Sequence, residues 1–158
     1  MKRESKQLMF INIGFFFLFV TDRVLKWWAV NSLSDISPIT FLRVFRLEFY
    51  LNEGIIFSVP LPKMLIYIIT VLIISVVIYL LYEAYQMKNR SLIIGYSLVT
   101  VGAFSNLLDR FNYGAIIDFI NLRVLPVFNL ADIIITIGIT VLIFNIIKIK
   151  GSSNEKVY

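Results

Sequence analysis

At 158 residues the chain has the length of one domain, but 59% of it is hydrophobic, only 16% is charged and its mean hydropathy is +0.84, the balance of an integral membrane protein. With no cysteine and no histidine, it excludes disulfides, zinc sites of the usual ligand types, cysteine nucleophiles and serine–histidine pairs. The net charge of +5 and pI near 9.5 do not signal nucleic acid, because the basic residues form no stripe interleaved with aromatics.

Residues 1–7 are polar and basic (Lys2, Arg3, Lys6) and precede an apolar run from Leu8 to Val20, the layout of a secretory signal peptide. Ser32-Leu33-Ser34 offers a small-x-small cleavage site, but it lies too far beyond that run, past Asp22, Arg23 and Lys26. The segment is therefore read as a retained first span over about 7–28, about 33 Å long at 1.5 Å per residue, with Trp27 and Trp28 in the interfacial aromatic belt. Next, Phe45, Leu47, Phe49 and Leu51 alternate with Arg46, Glu48 and Asn52, which is strand periodicity, and Asn52-Glu53-Gly54 supplies a turn. A small surface β region over about 40–59 follows from this pattern. Three more spans are expected at about 64–85, 91–108 and 129–147, within a single membrane domain over 1–150, and the polar tail at 151–158 is expected to be disordered. The short basic flanks Lys2/Arg3/Lys6, Lys88/Arg90 and Lys148/Lys150 fall on one side of a four-span chain, which the positive-inside rule makes cytoplasmic, with both termini.

The stretch from Asn106 to Asp132 then lies at the outer face, and its ionisable groups are expensive beside hydrocarbon. Asn129 and Asp132 fit a helix start, with Asn129 as N-cap and Asp132 in a first turn where the macrodipole favours negative charge. Asp22 and Lys26, four apart, form an ion pair within one helix, and the Arg110 that follows Asp109 has the reach to snorkel to the surface. Asp118 is different: two apolar neighbours flank it on each side, with no basic residue within four positions, so desolvation should raise its pKa. Two carboxylates in such different surroundings make an acid/base pair able to activate water against a carbonyl, the aspartic-protease pattern. The fourteen-residue step from Asp118 to Asp132 is long enough to bring them together. A proton- or cation-coupled transporter with Asp109, Asp118 and Asp132 as its site is the alternative, although no repeat of the transporter kind is present.

In order and spacing, the segments Asp22-Arg-Val-Leu-Lys26, Asn52-Glu-Gly-Ile-Ile-Phe57, Gly102-Ala-Phe-Ser-Asn-Leu-Leu-Asp-Arg110, Ile117-Asp-Phe-Ile120 and Pro126-Val-Phe-Asn-Leu-Ala-Asp132 resemble the motifs of bacterial lipoprotein signal peptidases, the signal peptidase II family. The resemblance implies a four-helix intramembrane aspartyl endopeptidase of the bacterial cytoplasmic (inner) membrane, with an outer-face β-cradle and a short extramembrane helix. Its substrate would be a diacylglyceryl-modified prolipoprotein, cut before the lipidated cysteine. Asp118 and Asp132 match the catalytic pair; Asn106, Arg110, Asn129 and the cradle residue Asn52 match residues lining the site; Asp22, Lys26 and Asp109 match scaffold residues. No metal or cofactor is called for, so activity should be indifferent to chelators, and a monomer amid membrane phospholipid is expected. Arg23 stands where the family typically has glutamine, Ile55 and Ile56 replace an Ala-Ala pair, and Val101 and Ser105 replace glycines. None of these removes a catalytic group, so an inactive scaffold is the lesser alternative.

Overall fold

The computed structural model describes residues 2–41, 44–54 and 62–154. Ile55 and Ile56 lie outside the described residues. Four long helices carry most of the chain: α1 (Lys2–Leu33), α2 (Lys63–Gln86), α3 (Arg90–Tyr113) and α4 (Leu130–Asn154). Three short strands complete it, β1 (Ile39–Phe41), β2 (Phe45–Asn52) and β3 (Ile116–Asn121), in an antiparallel sheet of order β1-β2-β3. Helices α2, α3 and α4 are each long and apolar enough to cross a membrane. Their outward residues, among them Leu72, Tyr79, Ile137 and Phe144, are large, apolar and exposed, the surface expected to face hydrocarbon rather than water.

Each helix extends past its expected span, and α1 does so for a structural reason. Its last turns bury Ala29 and Leu33 against Ile117 and Phe119 of β3, with Trp28, Leu47 and Phe49 around them, so the helix continues to Leu33 as the floor of the sheet. Apolar burial of this kind stabilises by about 25 cal/mol per Å² removed from water. Helix α4 runs on to Asn154 and takes up the first half of the stretch expected to be a disordered tail; residues 155–158 lie outside the described part. The short additional helix that the family resemblance implied does not appear among the described residues; the segments flanking the sheet there are turns and irregular backbone.

Helix α3 packs against all three other helices, and small residues bring it close to α4. A β-carbon added at Gly102 would lie 2.6 Å from the Ala131 carbonyl oxygen, and one added at Gly138 would lie 2.8 Å from that of Gly95. Glycine on both helices permits this approach, as in membrane helix pairs generally. At its far end α3 stops at Gly114, whose φ of 71° is a left-handed C-cap and whose N–H bonds the Arg110 carbonyl. The chain then turns directly into β3.

Candidate active site

Strand β3 pairs with β2 in the register Tyr50↔Asp118 and Leu51↔Ile117, then doubles back through a bridge between Ile120 and Phe128. That return closes the fourteen-residue step and sets Asn129 beside Asp118 at the start of α4. The Asn129 amide nitrogen donates to Asp118 Oδ1 at 2.7 Å, and its backbone N–H donates to Asp132 Oδ2 at 3.1 Å. One residue thus touches both carboxylates.

The three asparagine amides around the pair are each held in place. Asn129 Oδ1 accepts the Asp132 N–H at 3.0 Å, which together with the Asp132 carboxylate on the Asn129 N–H makes a reciprocal capping box and turns the amide nitrogen toward Asp118. Asn52 Oδ1 accepts the Gly54 N–H at 3.0 Å, so its amide nitrogen faces Asp118 Oδ2 at 2.9 Å. Asn106 donates to Asp132 Oδ1 at 2.9 Å, while its own oxygen accepts from Lys26 Nζ at 2.7 Å and from Asn129 at 3.1 Å. The half-buried Arg110 extends its guanidinium toward Gly54, and its carbonyl accepts the Tyr67 hydroxyl.

Behind this layer lies a buried charge cluster. Lys26 is fully buried and contacts Asp22 at 3.1 Å and Asp109 at 2.7 Å; Arg23 contacts Asp109 at 2.6 Å and donates to both the carbonyl and the hydroxyl of Ser105. Asp22 in turn accepts the Ala131 N–H at 2.8 Å, in the first turn of α4, as well as the Ser105 hydroxyl. Two cations and two carboxylates balance, and the cluster ties α1, α3 and the N-terminus of α4 into one piece. Arg23 and Ser105, which sequence reasoning noted only as departures from a family pattern, prove to be members of this cluster. Their partners stand more than eighty residues apart in the chain, a separation no local pattern reveals. Asp109, which sequence reading placed beside a snorkelling arginine, is fully buried and directed into the cluster.

Asp118 is buried on β3, and burial pushes its pKa up to about 6; the Asn52 hydrogen bond opposes the shift, the Asp132 charge reinforces it, and Asn129 and Lys26 oppose it more weakly. No group of metal-ligand type gathers here among the described residues. An apolar groove lined by Met64, Tyr67, Ile68, Val71 and Phe111 opens between α2 and α3, with Tyr67 reaching from it to the carbonyl of Arg110.

A helical membrane bundle whose end carries two aspartates, each held by fixed amide donors, is an arrangement suited to a membrane aspartic peptidase. The comparisons with known proteins agree. The profile of the signal peptidase (SPase) II family, peptidase A8, matches residues 14–148. A lipoprotein signal peptidase of Wigglesworthia glossinidia brevipalpis is 35% identical over 136 residues, covering 81% of this chain and 88% of its own. That of Clostridium tetani is 32% identical over 146 residues, covering 88% and 93%, and that of Caldicellulosiruptor bescii is 36% identical over 134 residues, covering 84% and 87%. A solved bacterial membrane enzyme superposes with a TM-score of 0.75 at 25% identity, covering 87% of this chain and 92% of its own. The chain belongs to the signal peptidase II family. It is an aspartic peptidase that removes signal peptides from prolipoproteins.

Proposed function

We propose that Asp118 and Asp132 are the catalytic pair and that the bond they cut precedes a diacylglyceryl-modified cysteine. The observation that carries this reading is the bridge of Asn129 between the two carboxylates, one on a strand and one on a helix, each with its oxygens already aimed. Asp132 lies in the first turn of α4 and accepts a backbone N–H, a setting that suits it to the role of base, taking a proton from a water held between the pair. Asp118, whose pKa burial pushes up to about 6, is the partner that reacts in its protonated form: it hydrogen-bonds the scissile carbonyl oxygen and stabilises the oxyanion as water adds to the carbon. Collapse of the tetrahedral species breaks the C–N bond, and the proton gathered by Asp132 passes to the leaving amine.

Asn52, Asn106 and Asn129 hold the pair's geometry, and Arg110 hydrogen-bonds the substrate backbone across the site. Asp22, Lys26 and Asp109 act on the scaffold. The apolar groove between α2 and α3 keeps the acyl chains and phospholipid at the edge of the site. The enzyme works as a monomer in the bacterial cytoplasmic membrane, with α1 as its fourth span, both termini cytoplasmic and the sheet on the outer side, where water and the lipidated cysteine meet.

The test is cleavage of a purified diacylated prolipoprotein in detergent, with the products identified by mass. A single cut leaving the lipidated cysteine at the new N-terminus is expected. Equal cleavage of the unmodified precursor would contradict the substrate assignment.

A further inference from the structure

A second cleft, of about 590 Å³, opens on the sheet and is lined by Arg46, Tyr50, Asn52, Asn121, Arg123 and the 125–127 segment. It shares Asn52 with the catalytic site, so whatever fills it is contiguous with a substrate lying across Asp118. Its charge is unbalanced. Among the described residues neither Arg46 nor Arg123 is paired with a carboxylate, in contrast to Arg23 and Lys26 in the buried cluster. Arg46 Nε is buried without any hydrogen-bond partner, a costly state for a guanidinium nitrogen unless an acceptor arrives. Glu48, the acidic residue of β2, is engaged by the Asn121 amide at 2.7 Å. The same Asn121, opposite Arg46 in the sheet register, accepts the Arg123 N–H at 2.6 Å and holds that residue at a left-handed φ of 59°.

Building on the peptidase reading above, we propose that this cleft is a specificity pocket for the polypeptide that follows the scissile bond, and that it selects an acidic side chain there. The two sides of the cut differ in chemistry: a signal segment is an apolar membrane helix, whereas the mature segment leaves the membrane into water. The polar, doubly cationic cleft lies on the sheet, beyond the helix ends, and is complementary to the latter. Guanidinium groups bind carboxylates through paired N–H donors, and an arriving carboxylate would satisfy Arg46 Nε. Of the cleft's lining, Tyr50 lies opposite Asp118 in the sheet register and Asn52 donates to Asp118 Oδ2, so the cleft adjoins the proposed catalytic strand.

The experiment measures kcat/KM for diacylated prolipoproteins carrying Asp or Asn at each of the first four positions after the lipidated cysteine, in neutral detergent at low salt. Wild type should favour Asp at one of these positions by about fivefold, the range of a partly exposed charge pair, and high salt should shrink the preference. In Arg123→Gln and in Arg46→Gln the Asp/Asn ratio should fall toward one. The ratio is internal to each variant, so a change in folded fraction does not move it, and Arg123 is exposed enough for its replacement to fold even if that of Arg46 does not. Cleavage of both substrates with no preference, or a preference that both variants retain, overturns the pocket while leaving the peptidase reading intact; cleavage of neither by folded wild type overturns both. Loss in the variants of a stimulation by added phosphatidylglycerol, with an unchanged Asp/Asn ratio, would assign the cleft to a lipid phosphate and overturn the proposal.

Discussion

The side-chain amide of Asn129 is divided between two tasks: its oxygen caps α4 and its nitrogen reaches Asp118. The helix start expected from the Asn129-Leu-Ala-Asp132 spacing is met in the geometry, and the same asparagine contacts the aspartate of the proposed pair that lies on β3. Asp118 stands out in the sequence among apolar neighbours, and in the structure it is buried with its oxygens facing Asn52 and Asn129, while Ile117 and Phe119 beside it pack against α1. Its raised pKa has a consequence for rate. The protonated form is present below about pH 6 and lost above it, so kcat/KM should fall by up to about tenfold per unit on the alkaline side of that point. The same limb in kcat should lie higher, because bound substrate removes further water from the pair. A rate that climbs through pH 6 to a plateau at higher pH would instead make Asp118 the base.

At the scale of elements, the site depends on where α4 begins relative to α3. The Ala131 carbonyl touches Gly102 across that interface, one residue before Asp132, whereas Gly95 meets mainly the flexible side chain of Leu142. Gly102→Ala should therefore cost about 1–3 kcal/mol and displace Asp132, lowering activity as well as Tm, while Gly95→Ala lowers Tm less and largely spares kcat. Equal effects on activity from the two substitutions would detach the catalytic geometry from this contact. The helices were legible because each is a long apolar run, and β2 because its residues alternate. Strand β3 was not: Ile116 to Phe119 are all buried, so the pattern is continuous rather than alternating and names no element. The ion pairing of Arg23 with Asp109 was hidden for another reason, being set by helix packing across the whole bundle.

For the molecule as a whole, the proposed catalytic pair lies at one end of an apolar bundle, with the α2–α3 turn at the other. Because the chain has no cysteine, single cysteines can report which end faces out. A membrane-impermeant maleimide applied to intact cells should label Val124→Cys, which is 82% exposed on the loop after β3, and spare Met87→Cys until the cells are permeabilised. The reverse pattern would invert the proposed topology. The central claim is that both aspartates act together, and it is tested most directly by turnover of a diacylated prolipoprotein by wild type, Asp118→Asn and Asp132→Asn, each shown to be folded in detergent. Loss of at least about a thousandfold in both variants is expected, since each removes a proton carrier from the same step. Near-normal turnover by Asp132→Asn would contradict the account and leave that residue as a helix cap alone.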